Sequence, residues 1–343
     1  MADIHSILKM ARTRRATDVH LVSAAPVLLR IEGELIPATK EALSAAQAKE
    51  LSYSLLSADQ IATFEKQLDL DFMAADAERN RYRVNVSYND GTIGAVIRIL
   101  PSDPMPLEDL KLPEVVEKLT RARKGLILIT GATSQGKSTT MAGMIDMINR
   151  HSRKHVVTIE DPIEYVHENK KSIVRQREVG KDTASFTRGL RAALRQDPDV
   201  IAIGEMRDYD TIKTALTAAE TGVLVISTLH IISIDKIIER LLAYAPDGSD
   251  GHMRALLSEG LLGVIHQELL STVNGGKRVA CETLVATDAV RNVMRKRGTF
   301  HLRNLITTGQ RYGMVTMKSS MDAIRDEGII SDELYERVIE NYH

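Results

Sequence analysis

The sequence predicts an α/β protein in two parts, a smaller α+β domain followed by a larger domain built on a parallel sheet. From residue 125 onward, short continuous apolar segments alternate with helical ones, which is typical of strands buried on both faces. Before residue 100, helical patterns and short strands are mixed, and in residues 81–88 apolar and polar residues alternate, as in a half-buried strand. Pro101, Pro104 and Pro106 separate the two patterns and do not suit a strand or helix interior. We therefore expect domains at residues 1–100 and 113–343, joined by a linker at 101–112.

The expected elements of the first domain follow from residue spacing. Apolar residues recur at helical spacing from Ile4 to Ala11, which predicts an opening helix. Arg81 and Arg83 alternate with apolar neighbours, so we expect both on the polar face of one strand, and Arg98 lies near the end of the next strand. The predicted strands are residues 18–21, 27–31, 81–88 and 93–100, and the predicted helices are residues 44–56 and 57–67.

The second domain is expected to contain a parallel sheet covered by helices on both faces. Its predicted strands are residues 125–130, 155–159, 199–203 and 223–229. Beyond the polar loop at residues 246–252, the chain is expected to be mostly helical. The exception is a hairpin around residues 274–276 that leads into a strand at 279–285.

The composition limits the classes of function. The 343 residues include 45 basic and 46 acidic ones, which give a formal net charge of −1. This balance argues against a domain held to nucleic acid by a dominant basic face. Cys281 is the one cysteine, so neither a disulfide nor a cysteine-based zinc site can form within one chain. We interpret Cys281 as an ordinary buried residue.

Neither an export signal nor a membrane span is expected. Asp3 precedes Arg12, Arg14 and Arg15, the reverse of the charge order in a secretory signal, and no long apolar run lies between them. The longest apolar stretches fall far short of the roughly 20 residues that a spanning helix needs. We therefore expect a cytoplasmic protein that reaches a membrane only through a protein partner.

A phosphate-binding loop is predicted between the first parallel strand and the helix after it. Residues 131–138, GATSQGKS, fit the pattern G-x-x-x-x-G-K-[ST]. In such a loop, backbone N–H groups and the positive end of a helix surround phosphates, whereas a chance glycine-rich turn would not fall at this switch from strand to helix. Lys137 is expected to reach the β- and γ-phosphates of ATP, and Ser138 to hold Mg²⁺. The expected ATP-binding residues are Gly131, Thr133, Ser134, Gln135, Gly136, Lys137, Ser138 and Thr139.

Acidic residues follow two of the predicted parallel strands, at the sheet edge where the loop lies. Glu160 and Glu164 come after residues 155–159, and Glu205 comes after residues 199–203. Such residues can be solvated turn residues, but two clusters beside a phosphate loop favour catalysis. We expect Glu205 to polarise the attacking water, and Glu164 or Glu160 to position the water or the metal.

Four further residues are catalytic candidates with ordinary alternatives. His230 ends the strand at residues 223–229 and could be either a structural histidine or a neutral hydrogen-bonding sensor of the γ-phosphate. Arg81, Arg83 and Arg98 could be a solvated strand face. In a ring of subunits they could instead stabilise transition-state charge on the phosphates.

Several segments together resemble the secretion-type traffic ATPases and, within them, the type IV pilus retraction ATPases of the twitching-motility (PilT) type. The resemblance covers essentially the whole chain. It rests on the phosphate loop and on residues 18–21 (DVHL), 81–85 (RYRVN), 158–164 (TIEDPIE), 190–199 (LRAALRQDPD), 203–208 (IGEMRD) and 227–230 (STLH). Residues 158–164 are similar to the family's aspartate box, 203–208 to its Walker B element and 227–230 to its histidine box.

This resemblance implies a homohexamer whose subunits have an N-terminal PAS-like domain and a RecA-like P-loop ATPase domain with a helical C-terminal portion. Nucleotide would lie between the domains, with Arg81, Arg83 and Arg98 facing it. The implied function is Mg²⁺-dependent ATP hydrolysis that powers pilus retraction and twitching motility. The implied partners are an inner-membrane pilus platform protein and, indirectly, pilin, with no nucleic acid. Residues 289–295 (AVRNVMR) are similar to a motif associated with retraction rather than assembly.

The chain departs from the family pattern within the phosphate loop. Ala132, Ser134 and Gln135 stand where proline, glycine and serine are usual. Because a side chain disfavours positive φ, we expect strain of about 1 kcal/mol at Ser134, which could slow hydrolysis. Further departures are Ile231 and Ile232 after the histidine box, where threonines are usual, and Lys296, which replaces an expected acidic residue in the retraction motif.

Three other functions stay open. A nucleic-acid translocase on the same core would need basic and aromatic residues along a pore, which 4% aromatic residues and no tryptophan disfavour. A weakly active accessory ring could regulate another motor through contacts rather than turnover. An assembly or secretion ATPase of the same family is the third alternative.

Overall fold

The computed structural model describes residues 3–31, 33–78, 80–100, 103–234, 236–296 and 301–342. The chain divides into two compact units, residues 1–102 and 103–343. Residues 101 and 102 of the expected linker lie outside the described part of the chain. Later in that segment, Leu107–Leu110 form a short 3-10 helix of the second unit.

The N-terminal unit is an antiparallel sheet packed with helices. Its strands run in the order β3-β2-β1-β6-β5-β4 and each is antiparallel to its neighbours. Side chains of Ile7, Ala48 and Phe64 from the helices join the core of this unit. The elements are α1 (Ile4–Thr13), β1 (Asp18–Leu21), β2 (Leu28–Ile31), β3 (Glu34–Pro37), α2 (Ala45–Tyr53), α3 (Ala58–Gln67), β4 (Asp69–Ala75), β5 (Arg81–Asn89) and β6 (Thr92–Ile99).

The helices predicted for this unit are confirmed, and local capping explains where they begin. The Asp3 side chain accepts a hydrogen bond from the Ser6 backbone N–H, and Ser44 and Ser57 each open a helix with a capping box. Four of the six strands were predicted, whereas β3 and β4 were missed. Strand β3 has the sequence ELIP and all four of its residues are exposed. A segment this short shows no alternation of apolar and polar residues to detect.

The C-terminal unit is built on a mixed sheet in the order β13-β12-β7-β11-β10-β8-β9. Adjacent strands are parallel along the order β12-β7-β11-β10-β8-β9, whereas β13 is antiparallel to β12. The predicted α/β fold class and parallel strands are therefore confirmed. The strands are β7 (Gly125–Thr130), β8 (His155–Glu160), β9 (Ile173–Glu178), β10 (Val200–Ile203), β11 (Leu224–Leu229), β12 (Leu261–Ser271) and β13 (Lys277–Val285).

Helices cover both faces of this sheet. One core includes Leu190, Ile212 and Leu257, and the opposite core includes Val116 and Met144. Cys281 is buried in the second core, as expected, and burial raises its pKa to about 12. The helices are α4 (Glu114–Thr120), α5 (Lys137–His151), α6 (Phe186–Ala193), α7 (Tyr209–Thr221), α8 (Ile237–Leu242), α9 (Asp250–Gly260), α10 (Asp288–Arg295), α11 (Leu302–Thr308), α12 (Met317–Asp326) and α13 (Asp332–Ile339).

The expectation of a mostly helical chain after residue 252 was incomplete. The predicted hairpin exists, but its first strand, β12, begins at Leu261 and pairs along β7 beside the phosphate loop. The sequence of β12, LLGVIHQELLS, has His266, Gln267 and Glu268 in its middle, so neither a continuous apolar run nor an alternation marks it as a strand, and only the pairing with β7 reveals it. Within the described residues, no helix is both long and apolar enough to cross a bilayer.

Candidate active site

The loop between β7 and α5 has the backbone shape of a phosphate cradle. Gly131 has a φ of +146° and Gly136 a φ of +80°. A Cβ at Gly131 would lie 2.7 Å from the carbonyl oxygen of Gln267 on β12, so a side chain there would force the backbone to shift. Ser134 has a φ of +65°, which confirms the left-handed conformation expected at that residue.

Lys137 begins α5 and its side chain turns back into the loop. Its Nζ donates to the carbonyl oxygens of Gly131 at 2.9 Å and Ala132 at 2.6 Å. Burial lowers the pKa of this ammonium, while the charges of Glu205 and Glu164 oppose that shift. The N-cap of α5 is glycine, which has no side chain to cap the first N–H groups. The loop therefore presents an ammonium and helix N–H donors together, a combination that suits phosphate.

Three of the predicted catalytic residues follow one another along a single edge of the C-terminal sheet. The neighbouring strands β8, β10, β11 and β7 are parallel, so their carboxyl ends carry Glu160, Glu205, His230 and the phosphate loop in that order. His230 accordingly lies between two charges. Its Nδ1 is 3.4 Å from Lys137 Nζ and its Nε2 is 3.6 Å from Glu205 Oε2.

The surroundings of His230 favour a neutral ring. Burial lowers its pKa, and the charge of Lys137 adds to this effect while Glu205 opposes it. With the ammonium of Lys137 facing Nδ1, the ring proton belongs on Nε2, toward the Glu205 carboxylate. The imidazole therefore separates the phosphate-loop lysine from the acidic residue without a net charge of its own.

Glu205 is held firmly at the end of β10. Its side chain is 13% exposed and forms an ion pair with Arg207. The backbone just before it is fixed from the next strand, because Thr228 Oγ1 donates to the Gly204 carbonyl and Ser227 Oγ donates to the Ile203 carbonyl. No local pattern in the sequence distinguishes Arg207, which lies two residues beyond Glu205.

The two remaining acidic candidates differ in their surroundings. Glu160 is buried, and its Oε1 accepts hydrogen bonds from Thr158 Oγ1 at 2.6 Å and Gln176 Nε2 at 3.1 Å. Glu164 is only partly buried, and its charge acts on Lys137. Beside it, the Tyr165 hydroxyl lies 2.8 Å from Thr139 Oγ1 on α5. The charge of Glu164 thus acts on Lys137 of the phosphate loop, whereas the hydrogen bonds of Glu160 hold it at the end of β8.

The three arginines lie on one face of the N-terminal sheet. Arg81 and Arg83 are two residues apart on β5, and Arg83 is paired directly with Arg98 across β5 and β6. Arg98 Nε donates to Asp18 Oδ1 at 3.0 Å, and Arg83 lies 3.8 Å from Asp71. The side chains of Arg83 and Arg98 remain 50% and 61% exposed. Like charges opposite each other destabilise a sheet, and an anionic ligand would offset that cost.

The chain is similar to known proteins along nearly its whole length. The family described as "Type II/IV secretion system protein" matches residues 1–338. The "Type IV pilus retractation ATPase PilT" of Pseudomonas aeruginosa is 40% identical over 331 residues, which cover 96% of each chain. The "Twitching motility protein" of Neisseria gonorrhoeae is 39% identical over 341 residues, covering 98% of this chain and 91% of that one.

A solved structure shows the same similarity in three dimensions. The crystal structure of the pilus retraction motor PilT with bound ADP has a TM-score of 0.89 at 40% identity, covering 98% of this chain and 97% of that chain. These similarities confirm the resemblance that the sequence motifs indicated.

Proposed function

The chain belongs to the type II/IV secretion system protein family, and from this premise we propose that it is an ATPase motor that powers pilus retraction. The observation that carries the proposal is the alignment of the phosphate loop, His230 and Glu205 on adjacent strand ends. The similarity to proteins named for pilus retraction and twitching motility supports retraction as the work performed.

In this proposal the loop residues bind the triphosphate of ATP. N–H groups of the loop and of α5 surround the β- and γ-phosphates, and the Lys137 ammonium exchanges its loop carbonyl partners for phosphate oxygens. The Ser138 hydroxyl, one residue further on, would be a ligand of Mg²⁺. Bound Mg²⁺ supplies positive charge to the phosphate oxygens.

Glu205 is proposed to polarise the attacking water by accepting a hydrogen bond from it. Its carboxylate is nearly buried and fixed by the ion pair with Arg207, so it can orient a water toward the γ-phosphate. His230 reports the presence of that phosphate through its neutral imidazole, and Glu164 or Glu160 helps to position the water. These roles are supported by the shared sheet edge.

The proposed assembly is a homohexamer of subunits with a PAS-like N-terminal unit and a RecA-like C-terminal unit. Arg81, Arg83 and Arg98 would supply positive charge to the transition state. The ring would act on the cytoplasmic side of the inner membrane, through a pilus platform protein. The exposure of Arg83 and Arg98 on one face of the N-terminal sheet supports the role proposed for these arginines.

The test of ATP hydrolysis uses two variants of the purified chain. Lys137→Ala should abolish both nucleotide binding and turnover. Glu205→Gln keeps the shape of the side chain and should bind ATP normally while kcat falls by at least about 100-fold. Glu336→Gln, an exposed position on α13, is the control and should match the unmutated chain. Full turnover in the Lys137→Ala variant would rule out the proposal.

Retraction is tested in cells. Deleting the gene should leave more surface pili but no twitching and no retraction force, and the Glu205→Gln variant should fail to restore either. Loss of surface pili on deletion would instead identify an assembly ATPase.

A weakly active accessory ring is a second candidate, because Ser134 occupies a left-handed conformation in the loop. Single-turnover hydrolysis distinguishes the two functions. An unmutated chain no faster than its Glu205→Gln variant would favour the accessory ring.

A further inference from the structure

A series of polar contacts begins at the residue that precedes the phosphate loop. Thr130 Oγ1 is 3.1 Å from Nδ1 of His266, which lies opposite it on β12. The other ring nitrogen of His266 is 3.2 Å from the Tyr342 hydroxyl. Tyr342 belongs to a short 3-10 helix, Glu340–Tyr342, more than 200 residues along the chain from the loop. The start of the loop is thus linked to a segment remote in sequence.

The same hydroxyl is linked to the other end of the loop. Tyr342 donates to Glu268 Oε2 at 3.1 Å. The other oxygen of that carboxylate is 3.5 Å from Nε2 of Gln135, the residue before Gly136. The amide oxygen of Gln135 also accepts a hydrogen bond from the Leu269 backbone N–H. Both ends of the phosphate loop are therefore joined through one phenol.

One arrangement of protons satisfies these contacts together. Burial lowers the pKa of His266 to about 4, so its ring is neutral at pH 7. If Tyr342 donates to the Glu268 carboxylate, its oxygen accepts from His266 Nε2–H, and His266 Nδ1 then accepts from the Thr130 hydroxyl. Each group gives and receives in one direction, and aligned hydrogen bonds of this kind strengthen one another.

The loop needs such support because of its own backbone. Ser134 lies between the two linked ends with a φ of +65°, a conformation that costs about 1 kcal/mol or more for a residue with a Cβ. A strained loop held at neither end would populate other shapes. Its apparent affinity for phosphate would then fall with the fraction of loops in the binding shape.

We infer that Tyr342 is a positioning residue for nucleotide binding, because through His266 and Glu268 it ties both ends of the strained phosphate loop and holds it in its binding shape. This inference rests on the proposed ATPase function. Among the described residues, the Tyr342 hydroxyl contacts His266 and Glu268 rather than a group that would bind phosphate, so its effect should appear in affinity rather than in the chemical step.

The experiment measures the affinity of the purified full chain for Mg·ADP by calorimetry, and steady-state ATP hydrolysis. Tyr342→Phe removes the hydroxyl and keeps the ring. It should raise the Kd for Mg·ADP and the KM for ATP by about fivefold, while kcat changes by less than about twofold. Glu268→Gln weakens the same contacts from the other side and should change Kd in the same direction.

Tyr335→Phe is the matched control. Tyr335 belongs to the same hydrophobic cluster as Tyr342, and its hydroxyl donates to Asp322 at 2.6 Å. Asp322 lies on α12 and is not one of the residues that link Tyr342 to the loop. Tyr335→Phe should leave the Kd unchanged. An equal rise in Kd for both tyrosine variants, or no rise for Tyr342→Phe and Glu268→Gln, would overturn the inference.

A double-mutant cycle tests the path between the loop and the phenol. A serine at residue 135 is too short to reach Glu268, so Gln135→Ser should also raise the Kd. If the two residues act through one network, the double variant raises the Kd by less than the product of the single effects. Independent, multiplying effects would overturn the inference. A native chain that binds no nucleotide would overturn the proposed function as well, whereas binding that ignores these substitutions overturns the inference alone.

Discussion

Ser134 is a residue-scale departure with a measurable consequence. Its φ of +65° is readily adopted by glycine but costs about 1 kcal/mol for other residues. Ser134→Gly should therefore raise the free energy of unfolding by up to about 1 kcal/mol. It should also speed ATP hydrolysis, because the strain expected to slow that reaction is removed. Chemical denaturation and steady-state hydrolysis give the two values.

Asp197 supplies the control for that prediction. It also has a positive φ, +51°, but it lies before β10, at the opposite end of that strand from Glu205. Asp197→Gly should change stability without changing turnover. If turnover rose equally in both variants, the effect could not be assigned to the phosphate loop.

Buried histidines predict a loss of stability in acid. Burial lowers the pKa of His167 to about 4 and that of His266 to about 4, against an ordinary value of 6.5. Between those pH values the unfolded chain binds more protons than the folded chain, so acid favours unfolding. Lowering the pH from 7 to 5 should reduce the free energy of unfolding by about 1 to 2 kcal/mol for each histidine.

Urea denaturation at pH 7 and pH 5 measures this loss. The free energy of unfolding of His167→Leu should differ less between pH 7 and pH 5, by the amount of about 1 to 2 kcal/mol that this histidine contributes. His252→Leu, at an exposed position on α9, should leave the difference as it is in the unmutated chain. An unchanged difference in the His167→Leu variant would contradict the assignment.

Residues of the site were predictable where the chemistry is local in sequence. Gly131, Lys137 and Ser138 belong to one continuous pattern, and Glu205 directly follows a buried strand. The role of Gln135 was not predictable, because its partners Glu268 and Leu269 lie on a strand about 130 residues away. A contact of that kind depends on strand order, which a local pattern does not contain.

At the scale of elements, two antiparallel helices cap each other through arginines. Arg291 on α10 donates to the carbonyl oxygens of Ser258 and Glu259, at the end of α9. Arg254 on α9 donates to the Met294 carbonyl near the end of α10 at 3.2 Å. Cations at helix C-termini satisfy carbonyl groups that have no partner within the helix. The segment similar to the retraction motif is therefore also a structural clamp between α9 and α10.

This clamp predicts a stability effect. Arg291→Ala should lower the free energy of unfolding by about 1 to 3 kcal/mol, since it removes charged hydrogen bonds to two carbonyl groups. Thermal and urea denaturation provide the measurement. Arg303→Ala, at an exposed position on α11, is the matched control and should change stability by less than about 0.5 kcal/mol. Equal losses in the two variants would show that the clamp contributes nothing specific.

The elements that the sequence predicted well are those with a distinctive local pattern. The strands β7, β8, β10 and β11 are continuous apolar runs, and α2 and α3 begin with serine caps. Strand β12 was missed because His266, Gln267 and Glu268 interrupt its apolar pattern. The polar contacts of His266 and Glu268 are with Thr130, Gln135 and Tyr342, which lie far from β12 in sequence.

At the scale of the whole molecule, a substitution on the arginine face of the N-terminal unit should lower ATP turnover without lowering stability. Arg83 and Arg98 oppose each other across two strands. Arg83→Ala removes this repulsion together with the exposed ion pair to Asp71, two opposing effects, so the free energy of unfolding should change by less than about 0.5 kcal/mol. In the proposed hexamer, however, kcat should fall by at least about tenfold, because a charge that stabilises the transition state is lost.

Electron microscopy of the purified chain with an ATP analogue should show six-subunit rings for both the unmutated chain and this variant. Arg14→Ala, at an exposed position at the end of α1, is the control and should keep full turnover. A normal kcat in the Arg83→Ala ring would assign that arginine to the solvated strand face that the sequence left open.

His230 and Glu205 lie at the carboxyl ends of the neighbouring parallel strands β11 and β10, and Lys137 begins the helix that follows β7, an arrangement that limits where backbone motion can occur. Strands in such a sheet stay about 4.8 Å apart, and their backbone hydrogen bonds hold that spacing. The backbone positions of His230 and Glu205 relative to each other are thus fixed by the pairing of β11 with β10, while their side chains and Lys137 remain free to change partners. In the proposed motor, we therefore expect displacement to come from segments outside this sheet, with β10 and β11 as a fixed frame.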